Sequence, residues 1–237
     1  NKYMLDKEYN PNKIVLYMNV RDYWTEVALK NKRSLNTIYL PKKDKERIIS
    51  DIHNFLDKKT MDTYIKLGRI HKRIYLFEGL PGAGKTSFIN ALASEINYNI
   101  AIISFADKVT DGVLARLIKN LPQSTALILE DIDVLFHERK ENDTARNNIT
   151  FSGILNSLDG LITNDGFICF ITTNYKNVLD SALLRPGRID VHLEFSNAVD
   201  EQIEDIYKNI MTTGSVVIEP GKLNEKFSFF LESYKEL

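Results

Sequence analysis

The sequence predicts an α/β fold in which a five-stranded parallel sheet is flanked by helices and followed by a partial helical lid. Two observations carry this prediction. Short apolar runs that are typical of buried strands alternate with stretches whose apolar residues recur at helical spacing. The chain has 237 residues, of which 43% are hydrophobic and 27% are charged. It is therefore long and apolar enough to bury the core of such a fold.

The predicted strands and helices follow one another in regular alternation. The strands cover residues 74–78, 98–104, 126–130, 167–172 and 191–195. The helices between them cover residues 85–94, 109–119, 149–158 and 177–183. Because parallel neighbours need a crossover connection, usually a helix, this alternation favours a parallel sheet over an antiparallel one.

The predicted core has a further segment on either side. Upstream, aromatic and charged residues are mixed, with predicted strands at 13–17 and 37–40, as at the end of a preceding domain. Apolar residues at helical spacing then predict a helix with Asp44 as its N-cap. A helical pattern resumes after Asp200. The predicted domains are the tail of a preceding domain at 1–40, the α/β core at 41–198 and a partial helical lid at 199–237.

Composition excludes several classes of protein. With 31 basic and 32 acidic residues, the formal net charge is −1, so no global positive field favours nucleic acid as a partner. The cluster of Lys30, Lys32 and Arg33 is typical of a solvated face.

The single cysteine, Cys169, excludes a disulfide within the chain. No apolar stretch approaches the roughly 20 residues of a transmembrane helix, and the dispersed histidines predict no metal site of their own.

A glycine-rich loop carries the first functional signal. Residues 79–86 read GLPGAGKT, between a predicted strand and a predicted helix. In this pattern the backbone N–H groups surround phosphate oxygens, Lys85 offers its charge to the β and γ phosphates, and Thr86 ligates Mg²⁺. The loop therefore predicts binding of ATP with Mg²⁺. The predicted nucleotide contacts are Gly79, Leu80, Pro81, Gly82, Ala83, Gly84, Lys85, Thr86 and Ser87.

An acidic pair follows the strand at 126–129. Glu130 and Asp131 stand at the carboxyl end of that strand, where parallel α/β sheets bind their ligands. In a Walker B arrangement of this kind, one carboxylate holds Mg²⁺ and the next orients or deprotonates the attacking water. We assign Glu130 and Thr86 to the metal and count Lys85 and both acids as catalytic. Which of the two acids activates water stays open at this point.

A third region supplies an amide and two arginines. Asn174 follows an apolar strand, and an amide there is able to position the attacking water. Residues 179–190 read LDSALLRPGRID and closely resemble the second region of homology of AAA ATPases. The resemblance implies that Asn174 is a sensor and that Arg185 and Arg188 reach the nucleotide of an adjacent subunit. An arginine supplied in this way is worth roughly 10³ to 10⁵ in rate.

Three further stretches narrow the resemblance. They are residues 71–89, 127–133 and 149–160. With the motifs above, they are similar to the mitochondrial chaperone family that completes ubiquinol-cytochrome c reductase by moving its folded Rieske protein across the inner membrane. The similarity runs over residues 33–197. It implies a homo-oligomeric ring, heptameric in characterised relatives, that moves folded protein substrates rather than threading them.

The resemblance also sets expectations beyond the core. It implies that residues 1–40 are the tail of the family's middle domain, that a membrane is contacted only through segments missing from this chain, and that the location is the mitochondrial inner membrane. Relatives with the same motifs also occur in plant endomembranes and in viruses. Residues 104–112 read SFADKVTDG and lack the aromatic-apolar-glycine loop of threading motors, which agrees with a folded substrate.

The chain departs from the wider AAA pattern in the acidic pair, because most AAA ATPases carry Asp and then Glu where this chain has Glu130 and then Asp131. Three functions are therefore compared. The first is ATP hydrolysis coupled to remodelling or translocation of a folded protein. The second is a nucleotide-gated interaction scaffold with slow turnover, which the reversed pair motivates. The third is a nucleic-acid-processing motor, against which the balanced charge argues.

Overall fold

The computed structural model describes residues 10–103, 109–133, 149–159, 165–175 and 188–213. Seven strands lie within these residues: β1 (Lys13–Val20), β2 (Tyr23–Asn31), β3 (Lys72–Gly79), β4 (Asn99–Ile103), β5 (Thr125–Leu129), β6 (Phe167–Thr173) and β7 (Val191–Phe195). The helices within them are α1 (Lys42–Leu56), α2 (Lys58–Lys66), α3 (Lys85–Glu95), α4 (Asp111–Lys119), α5 (Phe151–Asp159) and α6 (Asp200–Thr213).

All seven strands form one sheet, in the order β2-β1-β4-β5-β6-β3-β7. The pairs from β1–β4 to β3–β7 are parallel, and only β1–β2 is antiparallel. The five predicted strands are confirmed as β3 to β7, and the α/β fold class is confirmed with them. Because parallel strands end at the same edge, the carboxyl ends of β3, β5 and β6 lie together, and the functional motifs follow those three strands.

An N-terminal hairpin makes the sheet two strands wider than the five predicted. β1 continues the sheet beside β4, with Leu16 opposite Ile100. β2 is anchored from its side chains, since Trp24 Nε1 donates to the Leu117 carbonyl of α4 at 2.9 Å. The apolar run at residues 14–17 predicted β1, whereas β2 mixes apolar and polar residues that are mostly exposed, so no clear strand pattern marked it in the sequence.

The predicted strand at 37–40 is wrong. A 3-10 turn, Leu35–Thr37, occupies its beginning. Ser34 caps this turn, because its side chain accepts the Asn36 N–H at 3.2 Å and its carbonyl accepts the Thr37 hydroxyl at 2.8 Å. These local hydrogen bonds replace the ladder bonds that a strand would need.

Both faces of the sheet are covered by apolar side chains. One face packs on α4 and α5 through a core that includes Ile74, Leu76, Leu114 and Ile154. Alternate residues of β3 point the other way, towards α3, where Phe77 and Phe88 stack with ring centroids 5.7 Å apart. The helix that carries the phosphate loop is thus fixed by aromatic packing immediately behind it.

The remaining helices fall partly outside the sequence prediction. The predictions at 85–94, 109–119 and 149–158 are confirmed as α3, α4 and α5, whereas the predicted helix at 177–183 lies outside the described residues. α1 begins at Lys42, so Asp44 lies in its first turn instead of at its N-cap. α2 was not predicted; Asp57 caps it by accepting the Lys59 N–H at 2.9 Å.

The chain divides into two compact units. The first comprises residues up to 38 together with 49–196, and the second comprises 39–48 together with the residues from 197 onwards. Within the second unit, Gln202 Nε2 donates to the Tyr39 carbonyl at 2.9 Å, and Lys42 pairs with Glu201 at 2.7 Å. The functional boundaries at 40 and 198 stay predictions. No helix among the described residues has both the length and the apolar character needed to cross a bilayer.

Candidate active site

The phosphate loop joins β3 to α3 through glycines in left-handed conformations. Gly82 and Gly84 have φ angles of 80° and 96°, and Gly84 is the N-cap of α3. Within the described residues, no heavy atom beyond the immediate neighbours lies within 4 Å of a Cβ built on either glycine. The loop therefore has open space in front of the N-terminus of α3, where backbone N–H groups and the helix dipole favour an anion.

Lys85 is drawn into this loop. The residue is only 6% exposed. Its Nζ donates to the Gly79 carbonyl at 2.6 Å, the Leu80 carbonyl at 3.1 Å and Asn174 Oδ1 at 2.8 Å. Burial lowers the pKa of the Lys85 ammonium, while the nearby carboxylates of Asp131 and Asp133 raise it. The two carboxylates thus partly offset the cost of burying the charge.

The acidic residues after β5 divide between two partners. Glu130 Oε1 accepts the Thr86 hydroxyl at 3.0 Å, so a carboxylate and a hydroxyl oxygen converge beside the phosphate loop. Asp131 has a φ angle of 46° and instead contacts Asn174, whose Nδ2 donates to Asp131 Oδ1 at 3.3 Å. The turn is held on β6, because the Asp131 N–H donates to the Thr172 hydroxyl at 3.0 Å.

These side chains form one connected group, and they are compatible with the ligands that the sequence predicts. Carboxylate and hydroxyl oxygens are ligands that Mg²⁺ prefers, and Thr86 and Glu130 present one of each. The loop glycines and Lys85 offer N–H groups and a positive charge suited to phosphates. No cluster of three or more His, Cys, Asp or Glu residues suited to a metal occurs in the described part of the chain.

Three residues at the centre of this group received no role from the sequence. Thr172 and Thr173 end β6, and Asp133 follows the acidic pair; all three are buried. Asp133 Oδ1 accepts the Thr173 hydroxyl at 2.9 Å and the Asn174 N–H at 3.0 Å. The available signal was that polar residues stand at or just after the ends of apolar strands. The same pattern is typical of a solvated turn, so it did not identify these residues as functional.

The two predicted arginines are not equally placed. Arg188 lies just before β7 and is partly buried, whereas Arg185 lies outside the described residues. The residue next to this arginine segment is well anchored, since Asp190 Oδ2 accepts the Ile74 N–H at 2.8 Å and the Asp190 N–H donates to the Ile74 carbonyl. Arg188 is thus attached through Asp190 to the strand that carries the phosphate loop.

Comparison with known proteins agrees with this geometry. The family described as "ATPase family associated with various cellular activities (AAA)" matches residues 75–197, which include the loop, the acidic pair and Asn174. This range also includes both arginines and extends to the end of β7. More than half of the chain is therefore matched by one family.

Three relatives give the similarity at the level of whole proteins. "Probable mitochondrial chaperone bcs1" of Schizosaccharomyces pombe is 38% identical over 83% of this chain and 44% of its own length. "Mitochondrial chaperone BCS1" of Bos taurus is 39% identical over 76% of the chain and 44% of its own length. An AAA-ATPase of Arabidopsis thaliana is 32% identical over 83% of the chain and 49% of its own length.

The chain therefore spans less than half the length of each of these relatives. The chain belongs to the AAA ATPase family and is similar to the BCS1 mitochondrial chaperones.

Proposed function

We propose that the chain hydrolyses ATP, with Mg²⁺, at the group formed by Lys85, Thr86, Glu130, Asp131 and Asn174. The observation that carries the proposal is that the two acids have different partners. The Glu130 carboxylate accepts the Thr86 hydroxyl at 3.0 Å, whereas the Asp131 carboxylate accepts the Asn174 side-chain N–H at 3.3 Å. This division supports a metal-holding role for Glu130 and a water-activating role for Asp131.

The phosphate loop binds the nucleotide in this proposal. The backbone N–H groups of residues 82–87 and the N-terminus of α3 hold phosphate oxygens. Lys85 supplies the positive charge for the β and γ phosphates. Two backbone carbonyls and the Asn174 amide oxygen accept hydrogen bonds from its ammonium and hold it in place. Thr86 and Glu130 hold Mg²⁺, which when bound neutralises charge that develops on the phosphates.

The attacking water is oriented by Asp131 and Asn174. The Asp131 carboxylate accepts its proton, and the Asn174 side chain, which both donates and accepts, aligns the water beside it. An aspartate in this role reaches one methylene less far than the glutamate of most AAA ATPases. The left-handed φ angle of Asp131, 46°, carries that shorter arm towards Asn174, which supports its assignment as the base.

The two roles are separated by two conservative substitutions. We expect Asp131→Asn to bind ATP normally and to lower kcat by about 10²- to 10⁴-fold, because it removes the base. Glu130→Gln is expected to raise the Mg²⁺ concentration needed for half-maximal nucleotide binding. Asp62→Asn and Glu46→Gln, at exposed positions, are the matched controls. Normal turnover of Asp131→Asn would contradict the assignment.

We also propose that the active form is a homo-oligomeric ring, heptameric as in characterised relatives, in which Arg185 and Arg188 reach the neighbouring subunit's nucleotide. The sequence order LLRPGRID supports this. The test mixes Arg185→Ala with Asp131→Asn, each inactive alone. Partial recovery of ATPase activity on mixing is expected, because some interfaces then combine an intact base with an intact arginine. No recovery, with oligomers present by sedimentation, would oppose the shared site.

The work coupled to hydrolysis is proposed to be remodelling or translocation of a folded protein in mitochondria. The names of the fission-yeast and bovine relatives, both mitochondrial chaperones, support a protein substrate and a mitochondrial location. We expect a folded client protein to stimulate the ATPase rate more than the same protein unfolded. Stimulation by polynucleotide instead would favour the nucleic-acid motor, and tight binding with a single slow turnover would favour the scaffold.

A further inference from the structure

The structure contains a buried carboxylate that the proposed roles do not use. Asp133 is 3% exposed and lies at the end of the acidic turn. A charge removed from water in this way costs free energy unless hydrogen bonds satisfy it. Its Oδ1 accepts two, from the Thr173 hydroxyl at 2.9 Å and from the Asn174 N–H at 3.0 Å. One donor, Thr173, is the last residue of β6, and the other is the backbone N–H of Asn174, which follows it.

These hydrogen bonds continue into the next residue. The Thr173 hydroxyl, which donates to Asp133, also accepts the Tyr175 N–H at 3.1 Å. The backbone N–H groups of Asn174 and Tyr175 are therefore both held, one directly by Asp133 and one through Thr173. Thr173 is fully buried, so this arrangement is shielded from competing water.

The consequence falls on the Asn174 side chain. Its Oδ1 accepts from Lys85 and its Nδ2 donates to Asp131, so the amide lies between the phosphate loop and the acidic turn. A shift of about 1 Å in the backbone that carries it would misplace both contacts and is able to cost about 10² in rate. Hydrogen bonds that a carboxylate accepts, such as the two to Asp133, are stronger than those between neutral groups.

We propose that Asp133 is the positioning residue of Asn174: its buried carboxylate holds the Thr173–Tyr175 backbone so that the Asn174 amide stands between Lys85 and Asp131. Asp133 touches neither nucleotide nor water in this proposal and acts only through Asn174. The inference rests on the proposed function, in which Asn174 orients the attacking water.

The first test is kinetic. We expect Asp133→Ala to lower kcat by about 10² while the Kd for ATP is unchanged, because the phosphate loop keeps its own N–H groups. Asp133→Asn retains an acceptor oxygen of the same reach, and its kcat is expected within about tenfold of wild type. Equal losses in Asp133→Asn and Asp133→Ala would overturn positioning by hydrogen bonding.

A double substitution tests whether the effect passes through Asn174. In an Asn174→Ala background, adding Asp133→Ala is expected to change kcat by no more than about twofold, because there is no amide left to position. A further drop as large as that seen in wild type would overturn the proposal. If Asn174→Ala turns over more slowly than wild type but Asp133→Ala turns over at the wild-type rate, the inference alone fails. An inactive wild type opposes the proposed function.

A second readout needs no nucleotide. Amide hydrogen exchange at Asn174 and Tyr175 is expected to be fast in Asp133→Ala and slow in wild type and Asp133→Asn. Should Asp133→Ala fail to fold, Thr173→Val and Thr173→Ser replace it. Thr173→Val removes the hydroxyl and is expected to expose the Tyr175 N–H, whereas Thr173→Ser keeps the hydroxyl and the protection. The proposal is overturned if amide exchange in Asp133→Ala is the same as in wild type. Where Thr173→Val is used in place of Asp133→Ala, unchanged exchange in Thr173→Val overturns it.

Discussion

Lys85 Nζ donates to Asn174 Oδ1 at 2.8 Å, which joins the phosphate loop to the end of β6 although the two residues are 89 positions apart. The contact forms because β3 and β6 are adjacent parallel strands that end at the same edge of the sheet. The ammonium proposed to bind phosphate and the amide proposed to orient water are therefore held in direct contact, an arrangement that suits preorganised electrostatic catalysis.

This contact predicts that Lys85→Arg fails even though the charge is conserved. Lys85 is only 6% exposed, and its ammonium donates hydrogen bonds to three oxygens. A planar guanidinium does not fit that arrangement. We expect ATP affinity to fall and hydrolysis to drop to background, measured with a fluorescent nucleotide and by phosphate release. Lys59→Arg, at an exposed position of α2, is the control and should match wild type.

Gly79→Ala is predicted to destabilise the protein and to abolish nucleotide binding. A Cβ at Gly79 would stand 2.4 Å from the Phe195 carbonyl oxygen of β7, and the φ angle of 149° adds strain. Since backbone must move, we expect a loss of about 2 kcal/mol or more in the free energy of unfolding, measured with urea.

The matched control for Gly79→Ala is Gly112→Ala in the first turn of α4. Among the residues that the structure describes, a Cβ there would meet only the Thr110 hydroxyl, at 4.0 Å. Alanine should therefore be neutral or stabilising by up to about 1 kcal/mol. An equal loss in the two variants would show that the β3–β7 contact is not what requires Gly79.

Asp51→Ala is predicted to be strongly destabilising. Asp51 Oδ2 accepts from Arg73 Nε at 3.1 Å and from the Tyr75 hydroxyl at 2.9 Å. Removing the carboxylate leaves a largely buried guanidinium and a buried phenol without this acceptor, at a cost of about 3 kcal/mol. Asp22→Ala breaks an exposed pair with Arg116, where the two side chains are 47% and 56% exposed, and is expected to cost less than about 1 kcal/mol.

Stability is predicted to fall above about pH 8.5 because of Cys169. Complete burial raises the pKa of this thiol, and Lys72 lowers it only in part. Above the unfolded thiol's pKa, the unfolded chain loses a proton that the folded chain keeps, so the free energy of unfolding decreases as pH rises, by about 1.4 kcal/mol per pH unit. Its contribution is complete below that pKa.

Urea unfolding at pH 7.5 and 9.5 measures this dependence, and Cys169→Ala is expected to remove the part due to the thiol. The same burial predicts that thiol reagents modify Cys169 only as fast as the protein unfolds. Rapid labelling of the folded chain, or an unchanged pH slope in Cys169→Ala, would contradict the assignment.

Local pattern was sufficient for the five strands of the core and for the phosphate loop. The loop could be predicted because its glycines, Lys85 and Thr86 are contiguous and act largely through their own backbone. The hairpin strand β2 could not be predicted in the same way. Its residues are mostly exposed, and it is held by a long-range contact from Trp24 to Leu117 that no short window contains.

The sequence by itself determined the fold class, and it predicted the nucleotide chemistry and the candidate acids and amide, since these predictions follow from residue types at fixed spacing along the chain. It assigned Glu130 to the metal, left open which of the two acids activates water, and gave Asp133 no role. The tertiary structure decides which partner each carboxylate meets, because parallel strands bring Glu130 to Thr86 and bring Asp131 and Asp133 to Asn174. A carboxylate's role depends on the donors it meets, and those donors come from strands far apart in the sequence.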